Sequence, residues 1–253
     1  RPVSVVKELI ENSMDAGSSC IEIHCCAQGG LSLLSVTDDG IGIHPADLPL
    51  AAVRFATSKL STFDDLKSMQ TFGFRGEALA SASFVSKLTI ISRHRFAVSE
   101  SRETNDSSST TYRDSCAYKQ QYRDGKPLTN NPTPTAGKIG TTVKVEDLFY
   151  NIPSRKRAFQ GKKEIDEYHR ILNVAQRYAV HKAKDGVAFV CQRKKKGSNG
   201  FLCDLNTQSL PSVKTLMKEI GLEKQTVNDS SFLKLKETAC KEVIGHVFGT
   251  SVV

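Results

Sequence analysis

The sequence lacks tryptophan altogether, and aromatic residues fill only 7% of its 253 positions. Stacking platforms for nucleic-acid bases, which are built from aromatic side chains, are therefore not indicated. No Cys-x-x-Cys pair occurs among the seven cysteines, and their odd number argues against a disulfide framework. The six histidines show no ligand spacing with them. We therefore predict reduced, intracellular thiols and no zinc site.

Long apolar stretches are missing as well. None approaches the roughly 20 residues that a membrane span needs, and no signal peptide opens the chain. We accordingly expect no membrane partner. There is no initiator methionine, and residues 1–3 have the character of a helix already under way. The sequence is therefore interpreted as a fragment that lacks both ends.

Acidic residues are fewer than basic ones: 27 Asp and Glu stand against 35 Lys and Arg, which gives a net charge of +8. The densest basic clusters lie at residues 155–157, 162–163 and 193–196. This excess favours an acidic partner, with nucleic acid the leading candidate. Without stacking aromatics, the predicted contact is made to the DNA backbone and is independent of sequence. Solvated surface is the alternative for each cluster.

Residues 7–16, KELIENSMDA, form the most informative segment. On a helix, residues three and four apart share a face, so Glu8, Asn12 and Asp15 line one stripe. The apolar side carries Val5, Val6, Leu9, Ile10 and Met14. Two carboxylates and an amide beside a buried face favour a polar ligand, and Mg²⁺ with a phosphate suits such oxygen donors. A solvent-facing stripe on an amphipathic helix is the alternative.

Two glycine-containing segments follow. Residues 31–36 predict a buried strand that ends at Asp38 and Asp39, with two glycines after them. An acid there can accept a hydrogen bond from an exocyclic amine such as that of adenine, although Asp-Gly is also a common hairpin turn. In residues 70–81, QTFGFRGEALAS, two glycines lead into a predicted helix. The free N–H groups at a helix start can bind phosphate.

In this order, the three motifs resemble the nucleotide-binding motifs of the GHKL ATPases, the superfamily of gyrase, heat-shock chaperones, histidine kinases and MutL. The MutL proteins in particular are similar at residues 56–59, 73–79 and 140–155. The eukaryotic MutL homologues of the first type are most similar at residues 54–60, 81–83 and 148–152. The resemblance runs, with interruptions, from residue 1 to about residue 203.

The resemblance implies an α+β fold of the Bergerat type, a sandwich in which helices cover one face of a mixed β-sheet. It divides the chain into a GHKL ATPase domain at residues 1–210, with a polar insertion at about 99–115, and a linker or insertion at 211–253 that leads into the truncated start of a ribosomal-protein-S5-like domain. Periodicity predicts helices at residues 3–16, 45–55, 77–85 and 165–181. It predicts a loop at residues 129–137 and strands at residues 20–26, 31–36, 88–92, 116–122, 141–145, 187–192 and 200–205.

The resemblance also implies individual roles in Mg²⁺-dependent ATP hydrolysis. Glu8 is the general base that accepts the proton of the attacking water. Glu11, the alternative candidate for the general base on the same helix, is expected to be turned away from the stripe. Asn12 coordinates Mg²⁺ through its amide oxygen, and Asp15 either supports the site or anchors the helix to the following loop.

On the adenine side, the resemblance assigns Asp38 to the N6 amine, Gly42 to the space for the ring, and Thr141 to a hydrogen bond made through its hydroxyl or a water. Asp39 stands where the family more often has asparagine, and it is expected to point away from the base. The pocket wall comprises Thr57, Ser58 and Lys59. The lid segment, which wraps the phosphates, comprises Gly73, Phe74, Arg75, Gly76, Glu77, Ala78 and Leu79. The lysine that completes the γ-phosphate site in the family falls outside this sequence.

These residues predict a DNA mismatch repair ATPase whose lid segment closes on ATP, so that the N-terminal regions dimerise and clamp DNA. The implied partners are a MutL-paralogue subunit in a heterodimer, a MutS-type mismatch recognition complex and the DNA backbone, in the nucleus. Weak turnover is expected of the fragment alone. The alternatives are another GHKL ATPase, of the topoisomerase or chaperone type, and a non-hydrolysing scaffold.

Overall fold

The computed structural model describes residues 1–26, 31–56, 77–95, 116–194, 200–208 and 229–248. Helices within these ranges are α1 (Pro2–Asp15), α2 (Ala78–Val85), α3 (Pro153–Ala158), α4 (Lys162–Lys182) and α5 (Asp229–Phe248), with 3₁₀ turns at Leu48–Leu50 and Ala183–Asp185. Helices α1, α2 and α4 confirm three of the predicted helices to within a few residues. The predicted insertion at residues 99–115 lies outside the described ranges.

One mixed sheet contains all nine described strands. These are β1 (Cys20–Cys26), β2 (Leu33–Asp38), β3 (Lys87–Arg93), β4 (Ala117–Arg123), β5 (Lys126–Pro127), β6 (Thr133–Thr135), β7 (Gly140–Glu146), β8 (Ala188–Lys194) and β9 (Phe201–Asn206). The order is β5-β4-β3-β7-β2-β1-β8-β9, and β6 also pairs with β4. Among these strands, β1 and β8 run parallel, whereas the other pairs are antiparallel. Every predicted strand is therefore confirmed.

The core lies between the sheet and the helices. Alternate residues of β1, among them Ile21 and Ile23, are fully buried, because successive strand side chains point to opposite faces. The apolar stripe of α1, including Leu9, and the inner side of α4, including Ile171, belong to the same buried cluster. Helices packed on a mixed sheet confirm the predicted α+β fold, and this packing fixes the position of the polar stripe on α1.

The predicted helix at residues 45–55 is wrong, because only the 3₁₀ turn at Leu48–Leu50 forms there. Pro49 lacks an N–H group and restricts the residue before it, so a continuous helix is disfavoured. The hydroxyl of Tyr122, on β4, donates a hydrogen bond to the Leu48 carbonyl. The same carbonyl also accepts a hydrogen bond from the Ala51 N–H at 3.1 Å, which is the three-residue spacing of a 3₁₀ turn.

The predicted loop at residues 129–137 contains β6, which pairs with residues 117–119 of β4. Pro134 lies within this short strand, and proline is tolerated at a sheet edge because no ladder bond is required on its outer side. The loop prediction is therefore wrong for these three residues.

The last described helix, α5, packs on α4 and on the turn at Ala183–Asp185. Ala239 and Val243 form its buried contacts. Within the described residues, no helix combines the length and the apolar character that crossing a bilayer requires. The domain boundary at residue 210 and the S5-like domain beyond it stay predictions.

Candidate functional site

The polar stripe of α1 is less buried than Leu9 and Ile10. Glu8 is exposed, whereas Asn12 and Asp15 are half-buried. Glu8 lines a cavity of about 530 Å³, whose wall also includes Ala78 and Leu79 at the start of α2. The structure therefore brings the predicted base and the end of the lid segment to one cavity. Asn12, Asp38 and Thr141 are not among the cavity's lining residues.

Glu11 has a different environment from Glu8. It is buried and accepts hydrogen bonds from the Lys7 ammonium at 2.8 Å and the Tyr178 hydroxyl at 2.6 Å, both on Oε1. Burial, followed by the neighbouring Glu11 carboxylate, raises the pKa of Tyr178. Because Glu11 ties α1 to α4, its position supports the expectation that it is turned away from the stripe.

The first turn of α1 is held by a buried carboxylate of α4. Glu167 accepts a hydrogen bond from the Val3 N–H at 3.2 Å, and it forms an ion pair with the Arg1 guanidinium at 2.6 Å. The first N–H groups of a helix have no partner within the helix, so Glu167 caps α1 from another element. Sequence analysis missed this contact. Together, Glu167 and Tyr178 fix the axial position of the helix that carries Glu8.

Asp38, at the end of β2, has three protein donors. Its Oδ1 accepts from the Gly40 N–H at 3.0 Å and the Thr141 N–H at 3.3 Å, and its Oδ2 accepts from the Ser13 hydroxyl at 2.9 Å. Burial raises the pKa of Asp38, and these hydrogen bonds oppose the rise. A carboxylate offers about four acceptor positions, and the described residues use three of them at Asp38.

Asp39 points towards the start of β1, away from the Asp38 carboxylate. Its Oδ1 accepts from the N–H groups of Ser19 and Cys20, at 2.7 and 2.8 Å, and its Oδ2 accepts from the Ser19 hydroxyl. Partial burial opposes ionisation, but these hydrogen bonds outweigh it, and the pKa of Asp39 is lowered. The two neighbouring aspartates therefore have opposite pKa shifts.

Two glycines hold the strand ends around Asp38 together. Gly42 has a φ of 77°, and a Cβ on it would lie 2.3 Å from the Arg93 carbonyl oxygen. Gly140 has a φ of 116°, and its Cβ would lie 2.0 Å from the Asp38 carbonyl oxygen. Close backbone approach accounts for both glycines, so the structure gives Gly42 a packing role. The role in making room for an adenine ring stays a prediction.

Thr141 is the second residue of β7, pairs with Asp38 and is joined to Ser92, on β3. The Thr141 and Ser92 hydroxyl oxygens lie 3.0 Å apart, and both side chains are buried. Sequence analysis missed Ser92, because a serine within a strand pattern carries no periodic or motif signal.

Part of the predicted site lies outside the described residues, namely Thr57, Ser58, Lys59, Gly73, Phe74, Arg75 and Gly76. Glu77 is the residue before α2, and its carboxylate lies 3.6 Å from the Arg54 guanidinium. The predicted helix start near Glu77 is thus confirmed to within one residue. Residues 78–82 line the cavity, so the start of α2 lies beside it.

Mg²⁺ is the implied metal, and the donor chemistry of α1 fits it. The described ranges hold no group of three or more His, Cys, Asp or Glu side chains that could enclose a metal ion. Mg²⁺ usually keeps several waters and is held by one or two protein oxygens together with substrate phosphates. Asn12, one helical turn from Glu8, supplies an oxygen of the required kind.

Comparisons with known proteins identify the family of this chain. Residues 1–129 match the family described as histidine kinase-, DNA gyrase B-, and HSP90-like ATPase. The chain is 46% identical over 200 residues to the DNA mismatch repair protein MLH1 of Saccharomyces cerevisiae, covering 79% of this chain and 23% of that protein. It is 44% identical over 180 residues to the DNA mismatch repair protein MutL of Coxiella burnetii, covering 71% and 28%. The chain therefore spans about a quarter of the length of these relatives.

Solved structures show the same fold. The crystal structure of the N-terminal domain of a DNA repair protein has a TM-score of 0.64 and 26% identity, covering 98% of this chain and 57% of that one. The Aquifex aeolicus MutL ATPase domain complexed with ADP has a TM-score of 0.56 and 24% identity, covering 88% and 70%. The second comparison shows similarity of fold alone.

Proposed function

The chain belongs to the family of histidine kinase-, DNA gyrase B-, and HSP90-like ATPases, and on this premise we propose that it is the ATP-hydrolysing part of a MutL-type DNA mismatch repair protein. One observation carries the proposal: Glu8, on the stripe that also holds Asn12, faces the cavity at which α2 begins. A base, a metal-binding amide and a phosphate-binding helix start are the parts that hydrolysis of a terminal phosphate needs.

In the proposed mechanism, Asp38 and Thr141 hold the adenine, and the start of α2 directs its N–H groups at the phosphates. Asn12 would hold Mg²⁺, which would supply neutralisation of the phosphate charge. Glu8 orients a water towards the terminal phosphate and accepts its proton. The contacts of Glu11 and Glu167 with their neighbours keep α1 in register, so that Glu8 stays on the cavity side. Asp15 supports this end of the helix.

We further propose that the lid segment, residues 73–79, closes over ATP and builds a surface for a second MutL-type chain. Only a closed form can satisfy the phosphate oxygens with its N–H groups, so ATP favours that form. The pocket wall at Thr57, Ser58 and Lys59 completes the enclosure. The partner is proposed to be a MutL paralogue, and the pair forms a clamp on DNA that acts with a MutS-type complex. The nucleus is the proposed compartment, because the highest identity given above is to a eukaryotic relative.

Hydrogen exchange on the full-length protein tests lid closure. A non-hydrolysable ATP analogue is expected to slow exchange at residues 72–79 and to promote association of the N-terminal regions. ADP, which lacks the γ-phosphate, serves as the control. It should slow exchange and promote association to a smaller extent than the analogue does. Unchanged protection, together with no nucleotide-dependent association, would contradict the clamp mechanism. Absence of ATP turnover in the full-length protein would instead favour the scaffold alternative.

Two of the predicted basic clusters differ in their surroundings. Arg193 is ion-paired with Asp204 at 2.8 Å, so part of its charge is already neutralised. The α3 cluster, residues 155–157, lies on a helix with no buried residue. Arg155 and Arg157 are exposed and Lys156 is half-buried. Because exposed cations can displace counterions from a phosphate backbone, α3 is the better candidate for weak DNA contact.

Reversing charge on α3 should flatten the salt dependence of DNA binding. We expect Lys156→Glu with Arg157→Glu to weaken binding to duplexes of any sequence and to lower the slope of log affinity against log salt by about two. Lys234→Glu with Lys241→Glu, on α5, changes net charge equally and should have a smaller effect. Fluorescence anisotropy over a salt series measures both. Equal slopes for the two double variants would remove α3 as the contact surface.

A further inference from the structure

The C-terminal end of α2 is fixed to other parts of the fold. The last four carbonyl groups of a helix have no partner within the helix, and Ser86, which follows α2, is extended and forms no left-handed cap. All four of these carbonyls nevertheless accept a hydrogen bond from outside α2. The donors are the Ser86 hydroxyl to Ala82 at 2.6 Å, the Asp124 N–H to Ser83 at 3.1 Å, the Asn151 side-chain amide to Phe84 at 2.8 Å and the Phe149 N–H to Val85 at 2.6 Å.

Two of these donors belong to turns with an unusual backbone conformation. Asp124 has a φ of 53° and Phe149 a φ of 66°, values that residues other than glycine rarely adopt. The Phe149 side chain is 3% exposed, and its ring stacks on that of Phe159 with the centroids 5.7 Å apart. Leu148, the residue before it, donates its N–H to the Leu31 carbonyl at 2.8 Å. The surrounding structure therefore holds this turn in place against α2.

Among the four donors, Asn151 alone reaches α2 by a side chain from a distant part of the chain. The bonds from Asp124 and Phe149 are made by backbone N–H groups, which a substitution does not remove. A carbonyl group can only accept, so the amide nitrogen of Asn151 faces Phe84 and its oxygen does not. Asn151 is exposed, so truncating it removes one anchor of α2 without opening the core.

The opposite end of α2 lies at the cavity, where residues 78–82 are lining residues together with Glu8. A helix of eight residues is about 12 Å long, so a shift at the anchored end moves the whole helix. In the proposed function, the start of α2 meets the phosphates. A misplacement of about 1 Å at such a position can lower a rate by on the order of a hundredfold.

We propose that Asn151 is a positioning residue for ATP hydrolysis: it holds the C-terminal end of α2 and thereby sets where the start of this helix meets the terminal phosphate beside Glu8. This inference rests on the proposed nucleotide function. ADP lacks the terminal phosphate, so its binding depends less on the placement of α2 than the binding of ATP does. The proposed adenine contact, Asp38, lies on β2 and should be unaffected.

The test compares Asn151→Asp with Asn131→Asp in the full-length protein. Both variants replace an exposed asparagine by aspartate, but the first places an acceptor and a negative charge against a carbonyl at a helix C-terminus. We expect Asn151→Asp to lower kcat for ATP by about tenfold to a hundredfold and to weaken binding of a non-hydrolysable ATP analogue, with ADP affinity nearly unchanged. Asn131→Asp should match the unaltered protein. Asn151→Gln keeps an amide donor and should recover part of the lost rate.

Single-turnover hydrolysis gives the rate, and calorimetry gives the affinities and the number of binding sites. A merely structural role of Asn151 would lower the folded fraction, which reduces the number of sites for both nucleotides and leaves the ratio of their affinities unchanged. That result, or a normal kcat, would overturn the inference. If Asn151→Asp does not fold, Asn151→Ala decides by the same ratio, because it removes the donor without adding charge. Failure of the unaltered protein to bind or hydrolyse ATP would contradict the proposed function itself, which is a separate outcome.

Discussion

Replacing Glu8 by alanine is expected to lower the rate of ATP hydrolysis by roughly 10²–10⁴-fold while leaving ATP affinity nearly unchanged. The reason is that a general base acts on the attacking water and does not hold the nucleotide. Glu8 is exposed on the cavity wall and is not buried beneath another element, so truncation removes a reacting group without opening the core. Single-turnover hydrolysis and equilibrium binding, measured on the full-length protein, separate the two effects.

Glu11→Ala is the matched control on the same helix. It removes the acceptor for the half-buried Tyr178 hydroxyl and the exposed Lys7 ammonium, and a typical intramolecular hydrogen bond contributes about 0.5–1.5 kcal/mol. We therefore expect a lower free energy of unfolding but nearly normal turnover per folded molecule. If Glu11→Ala abolished turnover and Glu8→Ala did not, the assignment of the base would be reversed.

Local patterns were sufficient to predict the elements that carry the site. The helix with Glu8, Asn12 and Asp15 and the strand that ends at Asp38 both follow from apolar periodicity and from the residues that end each element. These signals lie within about 15 residues of chain, so a sequence contains them in full. The α+β class follows from the same elements, since helices and strands with single apolar faces must cover one another.

The contacts that position these elements could not be predicted in the same way. Glu167 caps α1 and Tyr178 anchors Glu11 from a helix more than 150 residues away along the chain. Neither residue belongs to a local motif. The wrong helix at residues 45–55 has a local cause as well, because Pro49 lacks an N–H group and restricts the residue before it. The strand missed within residues 129–137 comes from pairing with β4, which a local pattern does not contain.

Replacing Asp38 by asparagine is expected to weaken ATP binding by about tenfold to a hundredfold, because hydrogen bonds to charged groups contribute about 1.5–3 kcal/mol. The amide keeps an oxygen for the Gly40 and Thr141 N–H groups. Its NH₂ group can face the Ser13 hydroxyl, which is able to accept. What is lost is a carboxylate acceptor for the adenine amine. Affinity is measured by calorimetry with ATP and its non-hydrolysable analogue.

The free energy of unfolding of Asp38→Asn should not fall with its ATP affinity. The pKa of Asp38 is raised in the folded protein, with burial as the main cause. The folded state therefore holds the Asp38 proton more tightly than the unfolded chain does, and the free energy of unfolding falls as pH rises from the usual carboxyl range towards the raised pKa. Asparagine does not ionise, so near neutral pH Asp38→Asn should be as stable as the unaltered protein or more stable. Urea unfolding at several pH values measures this difference.

Asp39→Asn is the control for both effects, because the pKa of Asp39 is lowered by its hydrogen bonds from Ser19 and Cys20. A carboxyl group whose pKa is lowered in the folded protein stabilises the fold at pH values above the usual carboxyl pKa. This contribution is lost as the pH falls through the pKa of the folded state. Asp39→Asn should therefore be less stable near neutral pH, match the unaltered protein at low pH, and retain ATP affinity. Asp39 points away from the Asp38 carboxylate, so it can affect ATP binding only through the fold. If Asp39→Asn lost as much ATP affinity as Asp38→Asn, both aspartates would serve only to hold the strand ends.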